Sequence, residues 1–260
     1  MNKISQILLE KRKKYSCTLI PFLTAGYPDI DTTIRAVNLL DDQGADIIEL
    51  GIPYADALAD GPVIQNSSKV AIEQGVYIDQ VLNILKVIQS VKSSIVIFTY
   101  YNPILVKGID DFIFNIAQCS VKGLLIPDLP LEEIDYILSV CKKYDIELIL
   151  FIAPTSSKER MRAILNKSLG CIYLVSSTGV TGSRRFIDSN INKLSNYIRS
   201  STDKCIMLGF GISQPHQVTE IANWNIDGIV MGTSIIQAIS QDKKLSYLSS
   251  YYKSMQNALD

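Results

Sequence analysis

Two carboxylates stand where acid–base chemistry is expected. Glu49 lies at the end of the apolar run ADIIEL (45–50), and Asp60 follows in a loop that contains glycine and proline. Partial burial at the end of a strand raises the pKa of a carboxyl group toward the range in which it can transfer protons. Two carboxyl groups in different surroundings can divide the acid and base roles between them. The competing interpretation of Glu49 is a buried ion pair with a lysine or arginine.

Glycine-rich segments follow three apolar runs in the second half of the chain, at 176–183, 209–213 and 232–234. Glycine lets backbone N–H groups approach a ligand, and loops of this kind next to helix N-termini bind phosphate groups. A single such turn is better explained as ordinary loop geometry, but three on neighbouring strands favour a phosphate site. Ser234 is predicted to begin the last helix.

Several other chemistries are disfavoured by the residues that are scarce. The one histidine, His216, cannot build a centre with two or three histidine ligands, and a Ser-His-Asp hydrolase would depend on it entirely. His216 is expected on the surface at the start of a helix. No lysine closely follows the third to eighth apolar runs except Lys107, several residues past its run, which disfavours an imine-forming aldolase. Carbon–carbon cleavage or isomerisation would have to proceed by carboxylate acid–base catalysis.

The composition excludes other classes of protein. The 26 acidic and 25 basic residues nearly cancel, so there is no charge pattern typical of nucleic-acid or anionic-membrane binding. No apolar stretch approaches the ~20 residues of a membrane span, and the first sixteen residues lack a signal-peptide core. Ile4, Ile7 and Leu8 predict an amphipathic first helix, with the basic residues 11–14 in its solvated last turn. Five scattered cysteines indicate a reducing compartment: Cys17, Cys119, Cys141, Cys171 and Cys205.

Eight short apolar runs alternate with amphipathic helical patterns. Their continuous rather than alternating hydrophobicity is typical of strands covered on both faces, as in parallel sheets. Eight βα units in this length predict an α/β fold, a single-domain TIM (β/α)8 barrel over 1–260 with an extra N-terminal helix. The alternative is a doubly wound open sheet, although G-x-G-x-x-G follows no strand. The predicted strands are 17–24, 45–50, 94–100, 123–128, 147–153, 171–176, 204–210 and 227–232.

The segment ELGIPYADALADGPVIQ (49–65) closely resembles the signature of the tryptophan synthase alpha subunit family. Four further motifs are similar to that family and occur in the same order: PFLTAGYP (21–28), YYNP (100–103), PDLP (127–130) and GVTG (179–182). The resemblance covers essentially the whole chain.

The resemblance implies a TIM barrel that cleaves indole-3-glycerol phosphate to indole and glyceraldehyde 3-phosphate without a cofactor. It implies a partner, the beta subunit, which carries pyridoxal phosphate, in an αββα complex through which indole is channelled. On the resemblance, Glu49 is the general acid/base that moves protons at indole C3 and the glycerol side. Asp60 bonds the indole N–H and stabilises the positive charge of the indolenine tautomer.

The resemblance also implies roles for other residues. Phe22 and Tyr173 match positions that line the indole pocket, and Asp56 and Ala57 match the loop that meets the beta subunit. Positions that match the substrate and phosphate loops are Thr181, Gly182, Phe210, Gly211, Gly232 and Thr233.

The chain departs from the family pattern at a few positions. Ala55 and Ala57 stand where serine and proline are usual, and losing that proline is expected to make the loop more mobile. Ser183 stands where alanine is common, and Thr233 replaces the usual serine. Two of these departures thus lie in the loop that meets the beta subunit, whereas the catalytic pair of the family is intact.

Two other functions stay open at this point. One is a related phosphosugar barrel enzyme, such as an isomerase or an indole-glycerol phosphate synthase. The other is a scaffold subunit that only activates a beta partner, suggested by the altered loop. The excess of isoleucine over leucine fits an AT-rich genome, and so either a bacterial cytoplasm or the stroma of a plastid that encodes the protein.

Overall fold

Eight parallel strands close into a barrel in the computed structural model, which describes residues 2–13, 17–176, 189–209 and 211–259. Each strand pairs with the next along the chain, and the eighth pairs with the first. The prediction of a TIM barrel is therefore confirmed, and the open-sheet alternative is wrong because a closed ring has no edge strands. The strands are β1 (Thr18–Thr24), β2 (Ile47–Gly51), β3 (Ser94–Phe98), β4 (Gly123–Leu125), β5 (Glu147–Ile152), β6 (Ile172–Val175), β7 (Ile206–Gly209) and β8 (Gly228–Met231).

Helices surround the barrel and follow each strand, with additional helices at both ends of the chain and after β2 and β3. Within the described ranges they are α1 (Lys3–Arg12), α2 (Ile30–Asp42), α3 (Pro62–Glu73), α4 (Ile78–Val87), α5 (Tyr101–Lys107), α6 (Ile109–Gln118), α7 (Ile134–Lys143), α8 (Lys158–Lys167), α9 (Ser189–Ser201), α10 (Pro215–Ala222), α11 (Thr233–Gln241) and α12 (Ser246–Gln256).

One predicted helix start is wrong. Ser234 is the second residue of α11, which begins at Thr233, and the last helix is the separate α12. The Ser234 hydroxyl donates to the backbone oxygen of Ile212, so this serine ties α11 to the loop after β7 and does not cap a helix.

The strands are apolar throughout because each has two buried faces. On β2, Ile48 and Leu50 pack against the surrounding helices, whereas Ile47 points into the barrel. Glu49 follows Ile47 by two residues, so strand geometry directs its side chain to the inner face as well. The fold thus places one carboxylate among the inward-facing apolar side chains.

The floor of the barrel is closed by α1. Ile4 and Leu8 are fully buried inside the inner cluster. Ser5 donates its backbone N–H to Glu147 Oε2 at 3.0 Å and its hydroxyl to Oε1 at 2.5 Å, and so attaches the helix N-terminus to β5. The basic last turn also contacts the barrel, since Lys11 and Arg12 form ion pairs with Asp46 and Asp227. The predicted N-terminal helix is confirmed, and it seals the end opposite to the strand C-termini.

Candidate active site

Glu49 lies near the carboxyl end of β2 and is 1% exposed. Its neighbours in register are Phe22 on β1 and Val96 on β3. Its Oε2 is buried and accepts no hydrogen bond from the residues that the structure describes. No cation pairs with it among the described residues, so an ion pair does not explain its burial there. Burial, with a smaller contribution from the charge of Asp60, raises the pKa of Glu49 to about 8.

Asp60 reaches the same site from the loop between β2 and α3. It precedes Gly61, the N-cap of α3, and is 5% exposed. Burial raises the pKa of Asp60 to about 6, and a hydrogen bond from the Tyr100 hydroxyl to its Oδ2, at 3.0 Å, opposes this rise. Glu49 and Asp60 are therefore two buried carboxyl groups with different proton affinities.

A cavity at this end of the barrel brings the two carboxylates together with eight other lining residues. Phe22 and Tyr173 lie at the cavity wall, as predicted, and so do Gly211, Gly232 and Thr233. The wall also includes Ile64, Phe98 and Val230, which sequence reasoning did not identify. Acid–base groups thus face an enclosed surface that is largely apolar and aromatic, as binding of a flat aromatic substrate requires.

Aromatic rings form a continuous network around the cavity. The Phe98 centroid lies 5.9 Å from that of Phe22 and 6.4 Å from that of Phe151, both in edge-to-face geometry. Phe151 in turn lies 4.8 Å from Tyr173. Phe98 and Phe151 each follow an inward-facing residue by two positions, near the carboxyl end of a strand. That spacing was the signal that could have identified them.

Tyr173 is buried on β6, against the backbone of β7. A Cβ atom at Gly209 would overlap the Tyr173 hydroxyl and ring, so this glycine is required by the position of the tyrosine. Burial raises the pKa of Tyr173 well above its ordinary value, and the charges of Glu49 and Asp60 add to the effect. The Tyr173 hydroxyl therefore stays protonated near neutral pH.

The predicted phosphate residues gather at the start of α11. Gly232 is the N-cap and Thr233 the first residue, and both line the cavity. The first N–H groups of a helix have no partner within the helix and can bind an anion. Gly211 has a φ of 79°, which glycine adopts without strain. Thr181, Gly182 and Phe210, like Ser183, lie outside the described residues. The three predicted substrate and phosphate residues that the structure describes, Gly211, Gly232 and Thr233, therefore line one cavity.

The loop between β2 and α3 has an exposed side and a buried side. Asp56 is exposed, and Leu58 is the most exposed of the large apolar side chains that the structure describes, at 84%. Ala57 is buried in the inner cluster, and its oxygen accepts from Gln65 Nε2 at 3.0 Å. Of the two predicted interface residues, Asp56 therefore exposes its side chain on the surface, whereas the Ala57 side chain is buried beneath the loop.

The residues that histidine or lysine catalysis would need lie away from this cavity. His216 is exposed on α10, as expected, and Lys107 pairs with Asp79 at the surface. In the part of the chain that the structure describes, no cluster of three or more His, Cys, Asp or Glu side chains could hold a metal ion. Among the helices of the same ranges we find no candidate for a membrane-spanning segment.

Comparisons with known proteins agree with this geometry. A family model described as tryptophan synthase alpha chain matches residues 8–259. A tryptophan synthase alpha chain from Gracilaria tenuistipitata var. liui is 61% identical over 92% of this chain and 89% of the relative, and one from Microcystis aeruginosa (strain NIES-843 / IAM M-2473) is 44% identical over 100% of both. A structure of tryptophan synthase from Mycobacterium tuberculosis has a TM-score of 0.93 at 29% identity, covering 99% of this chain and 98% of that one. The chain therefore belongs to the tryptophan synthase alpha chain family, the carbon–carbon lyases that cleave indole-3-glycerol phosphate to indole and glyceraldehyde 3-phosphate.

Proposed function

We propose that Glu49 and Asp60 are the catalytic residues of the alpha reaction in this chain. The observation that carries the proposal is that two buried carboxyl groups with different pKa values, about 8 and about 6, face one aromatic cavity. Near neutral pH Glu49 is mostly protonated and Asp60 mostly ionised, which gives the site an acid and an anion.

The first step uses both groups. The Glu49 carboxylic acid donates its proton to indole C3, the ring carbon that carries the glycerol phosphate chain. The ring becomes a cationic indolenine whose charge is centred on its N–H group. The Asp60 carboxylate accepts a hydrogen bond from that N–H and stabilises the charge in a site that excludes water.

The second step breaks the carbon–carbon bond. The Glu49 carboxylate, formed in the first step, removes the proton from the hydroxyl on the chain carbon bonded to C3. That carbon becomes the aldehyde of glyceraldehyde 3-phosphate, and the bonding electrons return to the ring and neutralise the nitrogen. Glu49 ends protonated as it began, so the cycle is balanced without a cofactor.

Binding of the substrate is divided between two parts of the cavity. Phe22 and Tyr173 hold the indole ring by aromatic contact. The phosphate binds at the N-terminus of α11, where Gly232 and Thr233 offer backbone N–H groups and Gly211 leaves room for close approach. Thr181, Gly182 and Phe210 stay predicted members of this substrate site.

We propose that the pyridoxal-phosphate-dependent beta subunit binds the exposed side of the β2–α3 loop, and that the two form an αββα complex. The exposed apolar side chains Leu58, on the loop, and Val106, on α5, support this docking face. A hydrogen bond from Asn102 Nδ2 to the Tyr54 hydroxyl, at 3.3 Å, connects the loop to α5. Asp56 supplies the charged contact of the same face.

The test is indole release from indole-3-glycerol phosphate by the purified chain, with and without a beta subunit. Glu49→Gln should reduce the rate at least ~10³-fold in both conditions, because the amide can neither donate a proton to indole C3 as an acid nor recover one as a base. Glu147→Gln is the matched control, a buried glutamate at the opposite end of the barrel. Retained turnover in Glu49→Gln would overturn the assignment. Unchanged activity of Asp60→Asn in the complex would favour a scaffold subunit, and absence of indole in all conditions would favour a different phosphosugar reaction.

We propose that the protein works in the plastid stroma. Relatives from red algae such as Gracilaria, together with cyanobacterial ones such as Microcystis, favour the plastid stroma over a bacterial cytoplasm. Immunoblots of isolated plastids, split into stromal and membrane fractions, would test this assignment.

A further inference from the structure

Tyr100 joins the backbone of one residue to the side chain of the next. It lies two residues after the end of β3, is the N-cap of α5, and is 3% exposed. Its hydroxyl oxygen accepts a hydrogen bond from the Ala59 N–H at 3.0 Å, and the hydroxyl donates to Asp60 Oδ2 at 3.0 Å. One buried hydroxyl thus contacts both the β2–α3 loop and the proposed anion of the site.

The donor in this pair is fixed by electrostatics. Burial, the charge of Asp60 and the hydrogen bond to it all raise the pKa of Tyr100 far above neutrality, so the phenol keeps its proton and donates it to the carboxylate. A hydrogen bond of this polarity stabilises the ionised form of Asp60 and lowers its pKa, opposing the effect of burial.

We infer that Tyr100 is a positioning residue that keeps Asp60 ionised and makes that ionisation depend on the position of the β2–α3 loop. The titratable groups around Asp60 in the described residues are Glu49 on β2, Tyr173 on β6 and Tyr100 itself. Tyr100 donates a hydrogen bond to Asp60 and accepts one from the loop residue that precedes Asp60.

The loop connection is mechanical. Ala59 follows Leu58, whose side chain is exposed on the docking face. The Tyr54 ring packs on the Tyr100 ring with a centroid distance of 5.2 Å, and the Tyr54 hydroxyl accepts from Asn102 on α5. Movement of the loop on partner binding would move the Ala59 N–H and the Tyr54 ring together. Both contact Tyr100, and Asp60 directly follows Ala59 on the same loop, so the distance between the Asp60 carboxylate and the Tyr100 hydroxyl would change.

The first measurement does not depend on catalysis. Carboxyl ¹³C NMR, with the Asp60 signal assigned from Asp60→Asn, gives the pH at which Asp60 titrates. We expect Tyr100→Phe to raise this pH by about one unit, the size of one hydrogen bond to a charged group. Tyr54→Phe, which removes a neighbouring hydroxyl not bonded to Asp60, is the matched control and should leave it unchanged. An unchanged titration in Tyr100→Phe would overturn the inference.

The second measurement is the pH profile of kcat/KM, and it rests on the proposed function. Tyr100→Phe should move the acidic limb to higher pH and recover toward the wild-type rate above it, whereas a merely structural defect would lower the rate at every pH. A uniform loss would overturn the positioning role. A shifted NMR titration combined with an unmoved acidic limb would instead place the error in the catalytic role of Asp60.

A second variant keeps the phenol ring at position 100, so the inference can still be tested if Tyr100→Phe does not fold. Site-specific incorporation of 3-fluorotyrosine at position 100 makes the phenol a stronger donor without removing it. The Asp60 titration should then move to lower pH, and absence of a shift would contradict the inference. Addition of a beta subunit to the wild-type chain should change the Asp60 titration more than it does in Tyr100→Phe, and equal changes would overturn the loop coupling.

Discussion

The carboxylate of Asp60 adds to burial in raising the pKa of Glu49, although the two residues come from different parts of the β2–α3 segment. The pKa of Asp60 is raised to about 6. Burial raises it, and the hydrogen bond that the Tyr100 hydroxyl donates lowers it. Between about pH 6 and about pH 8 the pair therefore holds one proton, and that proton resides mainly on Glu49. The proposed reaction begins from this state.

The pH dependence of the rate follows from this relationship. We expect kcat/KM for indole release to rise through about pH 6 as Asp60 ionises, and to fall through about pH 8 as Glu49 loses its proton. The measurement is a buffer series from pH 5 to about pH 10, restricted to the range over which the circular dichroism spectrum is constant. A rate that keeps rising above pH 8 would contradict the acid role of Glu49.

Glu49 should also make the protein less stable at alkaline pH. Because its pKa is raised in the folded state, the folded chain binds the proton more tightly than the unfolded chain. The contribution of Glu49 to the free energy of unfolding is therefore fully present below about pH 4.5 and is lost as the pH rises toward 8. Glu49→Gln has no carboxyl group to ionise at this position. Its free energy of unfolding should therefore exceed that of the wild-type chain by on the order of 3 kcal/mol at pH 9.

Urea unfolding of Glu49→Gln and wild type at several pH values measures that difference. The gap should shrink as the pH falls toward 4.5. Asp60→Asn is the internal comparison: its gap should close at lower pH, because the pKa of Asp60 is raised only to about 6. A gap that is the same at pH 5 and pH 9 would show that folding does not raise the pKa of Glu49.

The barrel and the two carboxylates of its cavity could be predicted from the sequence because their signals are local. Eight apolar runs give eight strands, and Glu49 is conspicuous as a charge at the end of one of them. The aromatic wall could not be predicted with the same ease, because both faces of a barrel strand are apolar. Phe98 on the inner face and Ile97 on the outer face are distinguished only by the register of the closed sheet.

Contacts between distant segments of the chain also could not be predicted from the sequence. The hydrogen bonds of Tyr100 join residues about forty positions apart, and nothing in either segment indicates the pairing. Ala57 appears as a small loop residue in the sequence, and only the folded chain shows it beneath the loop. That residues 1–260 form one domain stays a prediction, which a single cooperative unfolding transition would support.

The floor of the barrel should contribute to stability and not to the chemistry. Glu147 accepts hydrogen bonds from the Ser5 N–H, the Ser5 hydroxyl and the Cys171 N–H. Ser5→Ala removes one of them and should lower the free energy of unfolding by about 1–3 kcal/mol. Its kcat should equal that of wild type under conditions in which both are folded. A change in kcat with an unchanged unfolding curve would contradict this separation of the two barrel ends.

The last prediction concerns the packing of Tyr173 against Gly209. A Cβ atom at position 209 would occupy the place of the Tyr173 hydroxyl, and the ring has little room to retreat because Phe151 lies 4.8 Å away by centroid distance. Gly209→Ala should therefore push Tyr173 into the cavity, raise KM about 10-fold and lower the free energy of unfolding by about 1–3 kcal/mol. The double variant Gly209→Ala/Tyr173→Phe removes the overlapping hydroxyl and should recover part of both losses, because the two changes are coupled through one contact. Losses that simply add in the double variant would show that Tyr173 does not occupy this position.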